Sequence, residues 1–389
     1  MFDIGSSSVG AGLVKFKKNR IPEIIYTARE SIPFQEVINP QRFFSDMIKT
    51  LSIVNSNILK EGILHLKFTR YGGLKIKHVF YAFSSPWSVS QTKIMTLEKS
   101  KPEVVTKEMI NRIVDKEEKD FESGVVEPSR IPDFKEKLAV VERRIMQIRL
   151  NGYETPDPYG KSARTIDISF FLSLVPKMVL DETMDISVNT YHPKDTKVAS
   201  SSLVAFSTIR DVLHNKEDFI LLDIGGEISD VSVVKNNLIL ETASFPMGRN
   251  FLTRRVSRTL SVSQEEAVSL LRLLFENHAD QSVVNRLQPA IETASKEWVE
   301  ALHTVLTKIS GNLSLPQDLF VIINNEFTSF FMKAIHKERI TQWDVIDVPF
   351  RVTLVNHDHL KKFVAFSKTA IKDPKIALES IFAAKMMSL

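Results

Sequence analysis

Apolar and polar residues alternate along the chain with two periods, one of two residues and one of about 3.6 residues, which predict strands and helices respectively. Strand-like runs are predicted at 78–83, 138–150, 165–175 and 319–323, and a helical pattern centres on residues 43–51. Interleaved runs of this kind are typical of an α/β protein, in which helices cover the faces of sheets.

Three helices are also marked by local signals. Ser263 stands at the start of a helical pattern, and Glu266 lies three residues after Ser263. This spacing is that of a capping box, which predicts the start of a helix. A helical stripe over 284–309 predicts a long helix that faces the core, because its apolar positions recur every three or four residues. The last helix is predicted to begin at Pro374, a residue suited to the first turn.

Length and composition indicate an ordinary globular protein. The 389 residues are 43% hydrophobic and 25% charged, which suits two or three domains. Lys and Arg total 51 against 47 Asp and Glu, and they are scattered, so we expect no nucleic-acid partner. The absence of cysteine excludes disulfides, and the cytoplasm is the expected compartment. No apolar run approaches the roughly 18 residues of a membrane span, so any membrane contact is expected to be peripheral.

Two segments share one design, an Asp at the end of an apolar strand followed by a glycine turn. The first reads FDIGSSS at residues 2–8, and the second reads LDIGGEISD at 222–230. Such a pair can clasp a polyphosphate, because backbone N–H groups and hydroxyls face the anion while the carboxylates hold hydrated Mg²⁺. The candidate phosphate-binding residues are Asp3, Gly5, Ser6, Ser7, Ser8, Asp223, Gly225, Gly226, Glu227 and Ser229. Of these, Asp3 and Asp223 are the candidate Mg²⁺ ligands, through water.

A single Asp-x-Gly turn occurs in many hairpins, but the order of several motifs is more specific. The two hairpins together resemble the phosphate motifs of the superfamily of actin, heat-shock chaperones and sugar kinases. The segment FPMGRNFLT at 245–253 resembles the region after the second phosphate motif in the bacterial cell-division protein FtsA. The segments NGY at 151–153 and DPYGK at 157–161 resemble the inserted subdomain of FtsA and of the pilus-assembly protein PilM. The whole chain therefore resembles the FtsA/PilM branch of bacterial actin-like proteins.

This resemblance implies an α/β fold of two actin-like lobes, each built on the ribonuclease-H-like plan, that close over a nucleotide. A small α+β subdomain is expected as an insertion in the first lobe. The expected ranges are 1–83, 186–215 and 345–389 for the first lobe, 84–185 for the insertion, and 216–344 for the second lobe with its helical subdomain.

The chain departs from the family pattern at three places in the predicted nucleotide site. Gly10 stands where a basic residue usually follows the first motif. Gly248 is followed by Arg249 instead of a second glycine, and this arginine would either replace a phosphate contact or block the cleft. Asn324 and Asn325 stand in the place of a Gly-Gly turn that lets the backbone approach adenine. The resemblance thus implies ATP and Mg²⁺ as cofactors, with these last four residues as further candidate ligands, but weak binding and at most slow hydrolysis. No catalytic residue is assigned.

Two C-terminal features have alternative interpretations. His357 and His359 lie on the same side of an extended segment, but without a third ligand nearby a solvated turn is the expected structure. The helix from Pro374 could lie on a membrane, yet it has few basic residues and no tryptophan. We therefore expect it to dock on the first lobe.

The resemblance implies a cytoplasmic scaffold or adaptor of the FtsA type, possible self-assembly, and a location at the inner face of the cell membrane. Its partner would be a division filament tail or the cytoplasmic tail of a membrane protein, and nucleotide would bias lobe closure. A PilM-like platform protein of type IV pilus assembly is one alternative. A sugar or small-molecule kinase is another, although no motif supplies the carboxylate base it needs. A third is a pseudo-ATPase adaptor in which Arg249 and Asn324 fill the site.

Overall fold

The computed structural model describes residues 1–67, 75–124, 137–213, 216–311, 314–323, 327–337, 350–368 and 370–387. Its strands are β1 (Phe2–Ile4), β2 (Ser8–Lys15), β3 (Glu23–Ser31), β4 (His78–Phe83), β5 (Val89–Val104), β6 (Leu138–Leu150), β7 (Tyr153–Glu154), β8 (Ser162–Pro176), β9 (Asp195–Ser200), β10 (Phe219–Ile224), β11 (Ser229–Lys235), β12 (Leu238–Phe245), β13 (Asp318–Ile323), β14 (Arg351–Leu354) and β15 (Ala365–Phe366). Its helices are α1 (Pro40–Asn57), α2 (Leu64–Lys67), α3 (Lys107–Gly124), α4 (Lys177–Tyr191), α5 (Ser201–Val212), α6 (Arg249–Leu260), α7 (Gln264–Phe275), α8 (Gln281–Ser310), α9 (Thr328–Lys337), α10 (His357–Leu360) and α11 (Pro374–Met386), and a π-helical stretch, Ile58–Ile63, continues α1.

The first sheet has the strand order β15-β3-β2-β1-β4-β9. Strands β1, β2 and β3 form an antiparallel meander, and β4 and β9 extend the sheet parallel to β1. The central strands are buried on both faces, which is why β4 is the nearly continuous apolar run HVFYAF.

The second sheet repeats this plan with the order β12-β11-β10-β13-β14. Its meander is β10, β11 and β12, and β13 and β14 are parallel to β10. Each Asp-x-Gly turn lies at the carboxyl end of the first strand of its meander, in the hairpins β1–β2 and β10–β11. The duplication confirms the expected α/β fold with two related actin-like lobes.

A third sheet, antiparallel and of order β5-β8-β6-β7, lies in the chain between β4 and α4 of the first lobe. One of its faces packs on α3 through a core that includes Val114 and Phe170. The sheet ends at Pro176, and Val179 of the following helix packs in the first-lobe core. The expected boundary of the insertion at residue 185 therefore falls inside α4, because that helix packs on the first lobe.

The chain returns to the first lobe later than expected. Strand β14 is parallel to β13 in the second sheet, and its Val352 and Leu354 pack against the second-lobe core. Strand β15 then pairs with β3 of the first sheet. The expected first-lobe range 345–389 is therefore corrected at β14, whose apolar residues complete the parallel edge of the second sheet.

Helices α5 and α11 form a middle layer between the two large sheets. One continuous core joins Phe80 of the first sheet, Phe206 of α5, Phe382 of α11 and Phe320 of the second sheet. The helix from Pro374 thus docks on the protein, as expected, and its apolar residues lie between the lobes. Within the described residues, no helix combines the length and hydrophobicity needed to span a lipid bilayer.

The core of the second lobe is centred on Trp298 of α8. Its side chain is fully buried, it packs edge-on against Phe331 with ring centroids 5.2 Å apart, and its indole N–H donates to the carbonyl of Met247 at 3.0 Å. The predicted stripe over 284–309 therefore faces the core, and it also fixes the loop that precedes α6.

Replacing this tryptophan should destabilise the protein strongly. Trp298→Ala is expected to lower the free energy of unfolding by about 3–5 kcal/mol, because it leaves a large cavity and removes the hydrogen bond from the indole to the carbonyl of Met247. Urea denaturation followed by circular dichroism measures this change. The control Tyr153→Ala removes a side chain that is 79% exposed, and it should change stability by less than about 0.5 kcal/mol. Equal effects of both variants would contradict this account of the core.

Candidate functional site

The two Asp-x-Gly hairpins lie in direct contact between the lobes. The hydroxyl of Ser6 accepts hydrogen bonds from the backbone N–H groups of Gly226 at 3.1 Å and Glu227 at 3.0 Å. A Cβ atom added to Gly226 would lie 1.9 Å from the Cβ of Ser7, so only glycine allows this approach. The structure thus brings the predicted phosphate residues together, but the first hairpin fills the anion site of the second.

Both candidate Mg²⁺ ligands are paired with cations of the protein. Asp3 is 1% exposed and receives a hydrogen bond of 2.7 Å from a guanidinium nitrogen of Arg29. Asp223 receives one of 3.0 Å from the ammonium group of Lys375. Burial lowers the pKa of Lys375, but the negative charges of Asp223 and Asp3 raise it more, so its pKa lies above the ordinary value. Lys375 therefore remains charged beside both carboxylates.

Arg29 occupies the space that Gly10 leaves open. The two residues are directly opposite each other in the β2–β3 pair, and a Cβ added to Gly10 would lie 2.4 Å from a guanidinium nitrogen. Arg29 also donates to Asp373 at 2.7 Å and to the hydroxyl of Ser8 at 2.9 Å. The basic residue that the family pattern places at position 10 is thus replaced by one from the neighbouring strand. Sequence reasoning missed it, because the register that places Arg29 opposite Gly10 is a property of the folded sheet.

The start of α11 supplies the second cation. Asp373 caps this helix, accepting from the backbone N–H of Lys375 at 3.0 Å and of Ile376 at 3.2 Å. Because Asp373 also binds Arg29, the cap fixes the position of Lys375 relative to β3. One turn later, Glu379 is 2% exposed, and burial followed by the charge of Asp3 raises its pKa well above the ordinary value. It therefore adds little negative charge to this cluster.

Glu227 is held by the second lobe and linked to the first. Its carboxylate accepts hydrogen bonds of 2.6 and 2.8 Å from Arg254 and one of 2.6 Å from Asn250. The same guanidinium of Arg254 donates to the carbonyl of Gln35 at 2.8 Å and lies over the ring of Phe34, 4.6 Å from its centroid. Glu227 is thus bound by protein groups on both sides.

The segment after the second hairpin closes the remaining space. The backbone N–H groups of Arg249 and Asn250, at the start of α6, donate to the carbonyls of Gly225 at 3.0 Å and Gly226 at 2.8 Å. A Cβ added to Gly248 would lie 2.4 Å from the carbonyl oxygen of Gly226, so this glycine serves close packing. The guanidinium of Arg249 donates to the hydroxyl of Ser7 at 2.7 Å. This contact joins Arg249 at the start of α6 to the first hairpin.

The other predicted residues divide into three cases. The hydroxyl of Ser229 donates to the carbonyl of Met247 at 2.8 Å and is part of the hairpin support. Gly5 closes its own turn, donating its N–H to the carbonyl of Ser8 at 3.1 Å. Asn324 and Asn325 lie outside the described residues. His357 and His359 lie in α10, and among the described residues no group of three or more His, Cys, Asp or Glu side chains could hold a metal ion.

Asp230 lies directly opposite Asp223 in the second hairpin and borders a small cavity. Burial raises its pKa to about 6, and the nearby charge of Asp223 acts in the same direction. The hydrogen bond of 2.6 Å that it accepts from Ser244 lowers the pKa and offsets part of this rise. The cavity has a volume of about 50 Å³, and seven of its fourteen lining residues carry a hydroxyl group. It has room for one or two water molecules but not for a nucleotide or a sugar.

The residues of the cleft do not fit Mg-ATP. A phosphate needs unpaired N–H donors, and those of Gly226 and Glu227 are taken by Ser6. Mg²⁺ needs carboxylate oxygens, and one oxygen each of Asp3 and Asp223 is bound by a cation. The second oxygen of each carboxylate is buried with no hydrogen-bond partner among the described residues. Lys375 thus stands where the divalent cation of a nucleotide complex is expected.

Comparison with solved structures agrees with this fold. The chain is similar over 100% of its length to 98% of a chain in the PilM–PilN type IV pilus biogenesis complex, with a TM-score of 0.57 and 12% identity. The chain is also similar to the ethanolamine utilization protein EutJ from Carboxydothermus hydrogenoformans, with a TM-score of 0.42 and 12% identity. That match covers 98% of this chain and 88% of EutJ. The MamK double helical filament matches 55% of the chain with 65% of its own length, at a TM-score of 0.33 and 13% identity. The match with a TM-score above 0.5 shows a fold similar to that chain of the PilM–PilN complex, in agreement with the two actin-like lobes. No protein-family model matches the sequence, and neither does any curated protein.

Removing the cation of Lys375 should make stability depend on Mg²⁺. Lys375→Ala leaves the buried carboxylate of Asp223 without its cation, while Asp3 keeps Arg29, and loss of about 3–5 kcal/mol in unfolding free energy is expected. Addition of Mg²⁺ at about 10 mM should restore part of this loss, because carboxylate oxygens are ligands that Mg²⁺ prefers. Thermal denaturation with and without Mg²⁺ measures both effects.

The control is Lys385→Ala on the same helix, whose ammonium group is 55% exposed and pairs with Asp211. This variant and the wild type should be insensitive to Mg²⁺. Loss of stability in Lys375→Ala without recovery in Mg²⁺ would show that the ammonium group does not occupy a cation site.

The buried Asp230 should make stability depend on pH. Because its folded pKa is raised to about 6 from 3.8, the folded state binds its proton more tightly, and stability falls as pH rises from about 4 to about 6. Asp230→Asn removes this cost. The free energy of unfolding of the variant, relative to wild type, should therefore be about 2 kcal/mol higher at pH 7.5 than at pH 4.5. Urea denaturation at both pH values measures it. The exposed control Asp157→Asn should show no such difference, and a gain for Asp230→Asn that is equal at both pH values would refute the pKa assignment.

Proposed function

We propose that the protein is an actin-like adaptor that binds a protein partner and works without nucleotide in its cleft. Its lobes are held together by the protein's own side chains instead of by Mg-ATP. The adaptor would present one constant surface, in contrast to a nucleotide-driven scaffold whose surface changes with lobe closure.

The observation that carries this proposal is that protein groups pair with both Asp carboxylates and with two of the backbone N–H groups that would face a phosphate. Arg29 and Lys375 neutralise the two Asp carboxylates, and Ser6 accepts from the N–H groups that would face a phosphate. Arg254 joins Glu227 of the second lobe to Gln35 of the first. Because these groups are buried and mutually paired, opening the cleft for a nucleotide would leave several charges unpaired.

The likeness to a chain of the PilM–PilN complex supports a protein partner of the pilus-assembly kind. That chain is matched over nearly its full length, and the insertion between β4 and α4 is part of the match. By analogy, the partner would be the cytoplasmic tail of a membrane protein, and the adaptor would work in the cytoplasm at the inner face of the membrane. An FtsA-type link to a division filament is the same role with another partner, and no contact in the cleft favours it.

The kinase alternative is weakened by the geometry around Asp230. This residue is the buried acid opposite Asp223 in the second hairpin, but the cavity beside it, of about 50 Å³, is too small for a sugar. A phosphoryl-transfer enzyme also needs an open substrate pocket beside its base. We therefore propose no phosphoryl transfer, and ATP hydrolysis is not part of the proposed role.

A nucleotide titration tests the proposal. Thermal denaturation of the full chain in Mg-ATP or Mg-ADP, each up to 5 mM, should give an unchanged Tm, because the groups that would bind phosphate are already paired. A ligand at about 100 times its Kd would instead add about 2.7 kcal/mol of stability. An upward shift that Asp223→Asn abolishes would contradict the nucleotide-free adaptor and favour a nucleotide-controlled scaffold.

The adaptor role itself is tested by affinity purification from the native cell with the tagged full chain. A single-pass membrane protein is expected, and a synthetic peptide of its cytoplasmic tail should bind the purified chain with the same Kd in the presence and absence of Mg-ATP. A Kd that changes with Mg-ATP would contradict the proposal.

A further inference from the structure

The outer edge of the first sheet is formed by two segments that are far apart in sequence. Strand β15 pairs in parallel with β3, and the N–H of Ala365 donates to the carbonyl of Pro22 at 2.9 Å. Further along, the hydroxyl of Thr27 donates to the carbonyl of Ile371 at 2.9 Å. The β2–β3 turn and the segment 361–372 therefore lie side by side along one edge.

This pairing gathers cations that are scattered in the sequence. Seven exposed Lys and Arg residues lie in the two segments. Among the described residues of 16–24 and 357–372, Asp358 is the one exposed carboxylate, and it pairs with Lys361 at 3.0 Å. We call these seven residues the basic edge: Lys17, Lys18, Arg20, Lys361, Lys362, Lys368 and Lys372. The net charge of the whole chain is only +4, so the edge carries a local excess that the total conceals.

Two exposed isoleucines lie among these cations. Ile21 is 47% exposed beside Arg20, and Ile371 is 74% exposed beside Lys372. The aromatic rings of the same region face inward, since Phe16 and Phe366 pack against the core. The edge therefore offers long flexible cations and aliphatic side chains, and it offers no stacked aromatic platform of the kind that single-stranded nucleic acid uses.

The lowered pKa of His357 is consistent with an excess of positive charge here. Its pKa is lowered, first by burial and then by the charge of Lys372, with Lys361 acting in the same direction. Asp358 opposes this effect but does not cancel it. The cations at the two ends of the segment thus act on one site.

We infer that the basic edge is a docking surface for an anionic lipid bilayer, with its lysines in the headgroup region and Ile21 and Ile371 at the acyl boundary. Lysines attract a surface of delocalised negative charge without requiring a fixed geometry, and exposed aliphatic side chains add a contribution that salt does not screen. The phosphate backbone of a nucleic acid offers no apolar surface to the two isoleucines, and an acidic protein would have to match the positions of long, flexible lysines. The inference goes beyond the adaptor role, because it requires neither a partner nor an empty cleft.

Vesicle sedimentation with the purified full chain tests this assignment. The protein should sediment with vesicles of phosphatidylcholine and phosphatidylglycerol at 7:3 in 50 mM salt, and it should remain in solution with pure phosphatidylcholine. The variant Lys17→Gln, Lys18→Gln, Lys361→Gln, Lys362→Gln is expected to lower the partition coefficient by about 100-fold or more. Ile21→Ser with Ile371→Ser should lower it less, by about 10-fold, and should reduce the fraction that remains bound in 300 mM salt.

The matched control changes the net charge by the same amount as the quadruple variant of the basic edge, but at four exposed lysines elsewhere: Lys101, Lys107, Lys116 and Lys308. It should bind anionic vesicles within about 3-fold of wild type, and circular dichroism should show all variants folded. Equal loss in both quadruple variants, or no binding to anionic vesicles at 50 mM salt, would overturn the inference. Binding of a DNA duplex through the four edge lysines without vesicle binding would overturn it in favour of nucleic acid. None of these results would alter the nucleotide titration, so the two proposals fail separately.

Discussion

The structure depends on the pairing of two buried carboxylates that come from different lobes. Asp3 and Asp223 end the first strands of the two sheets, and both act on the charge of Lys375. Buried like charges repel, and each would cost several kcal/mol without a compensating cation. Arg29 and Lys375 supply that compensation from fixed positions on β3 and α11. In this closed arrangement each of the two carboxylates is paired with a cation of the protein itself.

The other contacts between the hairpins follow from this closure. Gly226 lies against Ser7 and Gly248 lies against Gly226, and neither approach leaves space for a Cβ atom. Once the backbones are so close, the N–H groups of the second hairpin have a protein acceptor in Ser6, and Arg254 can bind Glu227 and Gln35 together. A site that uses glycines and small hydroxyls for a phosphate can use the same residues for direct packing of one lobe on the other.

Much of this architecture could be predicted from the sequence because it depends on local signals. The alternation of apolar residues located the strands of both hairpins, and the Ser263 and Pro374 signals located the starts of α7 and α11. The sequence shows that position 10 lacks a basic residue. It does not show that Arg29 on a neighbouring strand supplies the cation instead. Register between strands is a property of the sheet, so the sequence of β2 alone contains no sign of it.

The sequence by itself determined the duplicated plan of the fold, the two Asp-x-Gly turns and the departure from the nucleotide-binding pattern, since these depend on periodicity and on neighbouring residues. The tertiary structure decided which charges meet. It placed Lys375, which is 152 residues from Asp223, beside that carboxylate, and it gathered lysines from the β2–β3 turn and from 361–372 into the basic edge. Electrostatic energy depends on distance in space and on burial, and neither quantity can be obtained from the order of residues until the strands have paired and α11 has packed between the lobes.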